Sequence, residues 1–520
     1  MKRTGVFSLL FLAILLNIRS SQVSAQAPIP ITSCQTFWDP GTYVLESNIT
    51  LDASGPIHSG VCFRFRTPNV TINGQGHTLT LTGGTTLFGD VDSDREHITV
   101  KNLVTNGSIA LREGANFFTV ENSTIHSILL EGADDISITD SVIENGIKTA
   151  SFEGNPSLRL TFERNTVTST DYTNGYFNAG STHPCPRGDF VIRDNTFAND
   201  STLTGSVVSA LRINCATHSV VTGNTIRGTG TSIGLYMRDE SDDGHYENNS
   251  FWSTNGEAIR IASGNEDKTF PSRNIFYNNT FRSDNSPSDA IGFFHLQGLG
   301  SGNQFTYNTF VGPRGGLLLV NGSYGNNQFD HNTFYITGAG NYMFWYSYTQ
   351  SIPDIWTNNI FSYSGTDIHF FENWSFARYA GNHNLFQNRS GSVHFAGHGS
   401  SLAAWRSNSG NQDDMNSLEG NPLFGNPGNF DFTIASNSPA RGAGSGGTDI
   451  GAKPYGSEPP PICTENWSCS AWSTCANSTQ TRTCTDLNNC GTTYTRPPLI
   501  QDCALPDTTA PATISNLQAA

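Results

Sequence analysis

Lysine is nearly missing from this chain: Lys2, Lys101, Lys148, Lys268 and Lys453 are the only five in 520 residues. Charge of either sign is sparse, at 14% of residues, and 28 basic side chains face 44 acidic ones for a net charge of −16. Nucleic-acid binding draws on clustered Lys and Arg, so no nucleic-acid partner is expected. Methionine is also scarce, at 4, and no histidines stand at ligand spacing, which argues against a copper carrier. No apolar run reaches the roughly 20 residues that cross a bilayer; the stretch from Val6 to Leu16 falls well short of it. No membrane span is expected. Amphipathic stretches of a dozen residues are absent too, so helical repeats fit poorly.

The short apolar run has another use. Lys2 and Arg3 precede it and Val23-Ser24-Ala25 follows with small residues, the pattern of a secretion signal over 1–25. A secreted, extracellular or cell-surface chain follows, and 10 cysteines suit such an oxidising compartment. Cys34, Cys62, Cys185 and Cys215 are spread through the body, whereas Cys463, Cys469, Cys475, Cys484, Cys490 and Cys503 crowd the end. The even count in each part suggests disulfides in both. Cys34 with Cys62 and Cys185 with Cys215 is the expected pairing, the second pair lying about one repeat apart; six tail cysteines leave their connectivity open.

What the chain has in quantity is a repeat. "NQFTYNTF" at 303–310 returns as "NQFDHNTF" at 327–334, and its Asn-Thr-Phe core recurs at Asn165, Asn195, Asn224, Asn249, Asn279, Asn308, Asn332, Asn359 and Asn384, in steps of 24 to 30 residues. Weaker copies begin at Asn122 and Asp140. An elastic period of this size indicates a solenoid. Its units, such as "HITVKNL", "FFTVENS", "DISITDS" and "DFVIRDN", alternate as short strands do. Coil upon coil of short strands makes an all-β parallel β-helix, about a dozen coils and on the order of 60 Å long at the spacing of paired strands. The recurring Asn is expected at a left-handed corner, which Asn tolerates, with its amide bonded to the copy above and the Phe two residues on stacked inside. That core role is preferred over glycan attachment, although Asn278, Asn321, Asn373 and Asn388 fit the acceptor pattern.

"CFRFRTPNVTINGQGHTL" resembles the opening coil of secreted right-handed β-helix proteins of the pectate-lyase-like superfamily, in particular its carbohydrate-binding and sugar-hydrolase repeat group. "NPLFGNPGNFDFTIASNSPARGAG" with "DIGA" resembles their closing segment. The likeness spans roughly 30–456 and implies the fold; members include lyases, hydrolases, epimerases, tailspikes and adhesins. The domain expectation is a β-helix over 26–456 with a cap at each end, then a Pro-rich linker at 457–462. At 463–503, "ENWSCSAWSTCANSTQTRTC" and its continuation resemble a thrombospondin type 1 repeat, with Trp467 and Trp472 as layered tryptophans and Arg482 as a stacking arginine. Residues 504–520 resemble a linker or the start of a fibronectin type III domain.

Aligning "SALRINC", "IGLYMRD", "EAIRIAS", "DAIGFFH" and "GGLLLVN" points Leu211, Leu235, Ile259, Ile291 and Leu317 inward. Alternation then sets Arg212, Tyr236, Arg260, Gly292 and Leu318 in one outward column. Asn214, Arg238, Ala262, Phe294 and Val320 form a second, with Glu257, Asp289 and His295 at the margins. Three arginines and a tyrosine on adjacent coils suit an acidic polysaccharide, by guanidinium forks and ring stacking; the competing reading is arginine stems covering a solvated face. If the protein is a lyase, Arg260 is the candidate catalytic base. No cofactor is expected; Asp239, Asp242 and Asp243, with Glu240, could hold calcium, although clustered acids in a polar loop more often only make a turn. His398 in "AGHGS" reads as structural. The functional expectation is polysaccharide or cell-surface glycan binding in adhesion, with a lyase or hydrolase on acidic glycans, or a structural envelope component, as alternatives.

Overall fold

In the computed structural model the chain winds into three long parallel sheets of 15, 15 and 14 strands. The structure describes residues 27–456 apart from 55–59, 90–95, 113–114, 151–155, 170–172, 181–184, 201–207, 231–232, 263–269, 286–293, 297–298, 314–316, 320–324, 339–341, 347–351, 365–368, 373–378, 396–398 and 411. Beyond these it describes 466–474, 479–488, 497 and 499–502. The signal sequence, His398, Asp289 and four tail cysteines (Cys463, Cys475, Cys490, Cys503) lie outside the described residues.

One coil shows the plan. Ser209–Asn214 belongs to sheet B, Val220–Thr222 to sheet A and Thr225–Gly228 to sheet C, after which Ile233–Arg238 returns to sheet B directly beside Ser209–Asn214. Each strand alternates because one face of every sheet lines the common interior: in Leu160–Glu163, Leu160 and Phe162 are buried while Thr161 and Glu163 are partly exposed. This is the parallel β-helix that the repeat anticipates, right-handed as the resemblance implies, with more coils than the dozen expected.

Aromatic rings fill the interior in files. Phe251, Phe281, Phe310, Phe334, Phe361 and Phe386 stack at centroid spacings of 5.1, 4.9, 4.6, 5.2 and 5.4 Å. A second file runs through Tyr246, Phe276, Phe305, Phe329 and Trp356. Both follow from a Phe-like residue held at one register position in successive coils, where parallel pairing sets the ring spacing.

The two asparagines of the repeated phrase occupy two corners. Asn165 through Asn384 form a buried ladder between sheets A and C, each Nδ2 donating to the next Oδ1, as from Asn249 to Asn279 at 3.0 Å. Asn274, Asn303, Asn327 and Asp354 form a second ladder at the entry to sheet A. The left-handed conformation falls one residue earlier than expected: Arg164, Asp194, Asn248, Asn278, Tyr307, His331, Asn358 and His383 have φ between 48° and 57°. A ladder asparagine must turn its amide into the interior, so its neighbour carries the strained turn instead. The early copies are likewise shifted by one. Ser123 and Ser141, not Asn122 and Asp140, continue the ladder, since Ser123 N donates to Ser141 Oγ at 3.1 Å and Ser141 N to Asn165 Oδ1 at 2.9 Å.

Both body disulfides pair as expected, Cys34–Cys62 and Cys185–Cys215. The C-terminal segment does more than close the end. Leu402–Asn408, the one α-helix among the described residues, packs Trp405 against Phe395 and Tyr379 over the last coil. The chain then doubles back along the side: Thr448 Oγ1 lies 3.0 Å from His331 Nε2, Ala452 N bonds Thr333 Oγ1, and Lys453 Nζ reaches Asn278 Oδ1. In the tail, Cys469 bridges Cys484 between antiparallel strands, and the Arg482 guanidinium lies 4.2 Å from the Trp472 ring centroid.

Candidate functional site

Sheet B carries the expected column. Register places Lys148, Tyr176, Arg212, Tyr236 and Arg260 side by side on successive strands. Downstream the expected alignment slips by three residues: Phe294 pairs with Ile259 and with Leu317, so His295, not Gly292, follows Arg260 and precedes Leu318. His295 therefore sits within the column and not at its margin. Phe294 correspondingly leaves the second column, which runs Asn178, Asn214, Arg238 and Ala262; Val320 is outside the described residues.

The column is not a bare solvated face. Tyr236 is only 5% exposed and packs with Ile233 and Ala262. Arg212 stacks its guanidinium 4.7 Å from the Tyr176 centroid and 5.1 Å from Tyr236, Arg238 lies 5.8 Å from Tyr236, and the Lys148 ammonium 5.9 Å from Tyr176. Such cation–π contacts hold the arginines in place. Three buried polar atoms of the two columns lack a partner among the described residues. The buried Nε atoms of Arg212 and Arg238 have no hydrogen-bond partner among the described residues, nor has Oδ1 of Asn214, which is 7% exposed. Its amide nitrogen is taken, donating to Asn178 Oδ1 at 3.3 Å.

Arg260 differs. It grips Glu257 with two bonds, Nε to Oε2 at 2.5 Å and Nη2 to Oε1 at 2.7 Å, and Glu257 is 2% exposed. Burial alone works to lower the guanidinium's pKa, but the bonds and charge of Glu257 prevail and hold it above its ordinary value.

The acids weighed for a cation are engaged elsewhere. Asp242 Oδ1 accepts from Ser272 N at 2.8 Å, Arg273 bonds both Asp242 and Asp243, and Glu240 Oε2 accepts from Cys185 N at 2.7 Å. The same construction recurs at Asp134 and Asp135, which receive Leu158 N and Arg159. An Asp-Asp pair read from sequence is thus a corner device answered by an arginine one coil later. Among the described residues no group of three or more His, Cys, Asp or Glu converges on one point.

Sequence reasoning missed Lys148 and Tyr176 as members of the column. The signal was present in the alternation of "NGYFNAG", but the step from Tyr176 to Arg212 is longer than the usual coil.

Winding and site together define a right-handed parallel β-helix with a cationic, aromatic-lined stripe on one sheet. A family model described as the right handed beta helix region matches residues 160–334, the coils that carry Arg212 to Arg260. Among solved structures, the PfbA surface adhesin of Streptococcus pneumoniae is similar at 14% identity, over 60% of this chain and 82% of that one, with a TM-score of 0.36. The A-module of the mannuronan C-5 epimerase AlgE4 from Azotobacter vinelandii gives 14%, 69%, 91% and 0.37 in the same order. For the PL6 family polysaccharide lyase Pedsa3628 from Pseudopedobacter saltans the figures are 10%, 82%, 94% and 0.24. Identities this low assign no activity. No curated protein sequence matches the chain.

Proposed function

We propose that this is an extracellular β-helix protein that binds acidic polysaccharide along the outer face of sheet B, in adhesion or glycan recognition. The observation that carries this reading is a local excess of cations in an acidic molecule. Lys148, Arg212 and Arg238 meet no carboxylate among the described residues, while Arg159, Arg164, Arg193, Arg273 and Arg282 each pair with Asp or Glu. In a chain of net charge −16, arginines that meet no carboxylate are suited to carboxylate or sulfate, which a guanidinium grips in a planar fork. Tyr236 has an arginine near it on two sides, so its part is to space and orient them more than to stack a sugar.

A lyase needs a base, and we do not give Arg260 that part: a guanidinium fixed by a buried carboxylate stays charged. It serves here as a fixed neutral pair with Glu257 bounding the stripe. The resemblance of the tail to a thrombospondin type 1 repeat supports a presenting or attaching module. The test is retention of the purified protein on acidic and neutral polysaccharides with simultaneous assay of reducing ends and unsaturated product. Retention without turnover, lost in Arg212→Glu and Arg238→Glu, is expected. Turnover abolished in Arg260→Ala would replace binding by lyase chemistry.

A further inference from the structure

A groove of about 570 Å³ lies on another part of the rod, at the corner where the early coils pass from sheet A to sheet C. Its floor and walls come from successive coils: Asn73, Asn102, Asn122 and Asp140 along one side, Val104, Thr124 and Val142 along the other. It coincides with the stretch where the buried ladder is serine in place of asparagine, at Ser123 and Ser141. The repeat pattern conceals it, because Asn122 and Asp140 fall in that pattern at interior ladder positions.

The amides of this corner are only half used. Asn122 Nδ2 donates to Asn102 Oδ1 at 2.7 Å, and Asn102 Nδ2 to Asn73 Oδ1 at 3.0 Å. A carboxamide has two N–H donors and two lone pairs. Among the described residues, Asn102 therefore keeps one of each, and Asn122 keeps one N–H and its whole oxygen. The row is fixed in advance by backbone geometry, since Gln75, Asn102, Asn122 and Asp140 all hold left-handed φ, between 46° and 53°. Donor and acceptor sites thus recur once per coil, about 4.8 Å apart, on a surface that loses little freedom when it binds.

Charge sets the class of ligand. The one ionised lining group, Asp140, is held by Arg164 through two 2.7 Å bonds, so the groove presents no unanswered charge. Val104 and Val142, each 39% exposed, flank Thr124 in register and give small apolar patches between polar rows. No sheet edge is offered, which disfavours an added peptide strand.

We propose that this corner is a second binding groove, which takes a neutral, hydroxyl-rich glycan chain laid along the rod axis. Sugar hydroxyls both donate and accept, as the half-used amides do, and the C–H faces of the rings lie on the valines. The stripe on sheet B and this groove would then engage different chemistries on one rod.

The test is titration calorimetry of the full chain, made in a bacterial periplasm so that disulfides form and no N-glycan is added. Cellohexaose and mannohexaose are the neutral probes and an oligogalacturonate hexaose the acidic one. At least one neutral hexaose is expected to bind, and Val104→Arg and Val142→Arg should each weaken it about tenfold or more. The Arg212→Glu, Arg238→Glu double variant should leave that affinity in place while abolishing acidic binding. Gln75→Lys, at an exposed lining position, supplies a third blocker should either arginine variant melt early. Absence of binding by both neutral hexaoses, or affinity unchanged in folded blockers, would overturn the groove and leave the acidic reading untouched.

Discussion

Asn248 and Asn249 are neighbours with different duties. Asn249 is buried and makes four ladder bonds: Nδ2 donates to Val221 O and Asn279 Oδ1, and Oδ1 accepts from the backbone and side-chain nitrogens of Asn224. Asn249→Ala strands buried partners at about 1–3 kcal/mol each, and a net loss of about 3 kcal/mol in denaturant titration is expected. Asn248 is exposed and carries the left-handed turn at φ 55°. Asn248→Gly removes the steric cost of that turn and should change stability by no more than about 0.5 kcal/mol. Equal losses at the two sites would mean that the ladder contributes nothing special. Identity was legible at the ladder position because its partners demand an amide. The turn position admits Arg, Tyr and His as well, so no residue type announced it.

A titrating group in the end cap gives a second test at this scale. Asp413, 9% exposed, is raised from 3.8 to about 6 by burial first and by neighbouring Asp414, against a weak bond from Gly381 N. The folded state thus binds this proton more tightly than the unfolded chain. The associated stability is present at low pH and is lost as pH rises from about 4 through about 6. Asp413→Asn should flatten that dependence and stabilise the protein at neutral pH by on the order of 1–2 kcal/mol, read as a shift in urea midpoint. A variant that weakens the fold equally at both ends of the window would remove the burial explanation.

Elements are held by the files of rings within and by the returning segment without. Phe310 stacks on Phe281 and Phe334 at 4.9 and 4.6 Å and is fully buried. Phe310→Ala should cost about 3–5 kcal/mol, with an unfolding midpoint lowered in proportion. Strand register was readable where alternation was strict and failed where it was not. "AIGFFHL" carries apolar residues on both parities, so Ile291 and Phe294 served equally well as inward anchors, and the wrong choice slipped the column by three. The path of the closing segment was invisible for another reason. Its contacts, such as Thr448 with His331 and Lys453 with Asn278, join residues 117 and 175 apart and repeat nowhere.

At the scale of the molecule the question is why an acidic rod should gather unpaired cations on one sheet. Lys148 lies two coils before Arg212, and Arg238 one coil after it in the adjoining column, so a polymer carrying a charge on each of several units meets them in series. Binding of that kind weakens with ionic strength, because exposed charges are screened within about 8–10 Å at moderate salt. A glycan held at the early corner by uncharged amides should show little such dependence. Arg212, Tyr236, Arg238 and Arg260 were found from sequence since all four fall on regular strands. The grip of Glu257 on Arg260 was not, as it arises from a turn that periodicity does not describe.

The most direct measurement is retention of the intact protein on an immobilised acidic polysaccharide, wild type beside Arg212→Glu, Arg238→Glu, over a salt gradient and with product assayed in the eluate. The cationic stripe predicts retention of the wild type that falls with salt, at least tenfold weaker retention of the double variant, and no product. Equal retention of the two proteins, or no retention of either at low salt, would contradict a glycan site on sheet B.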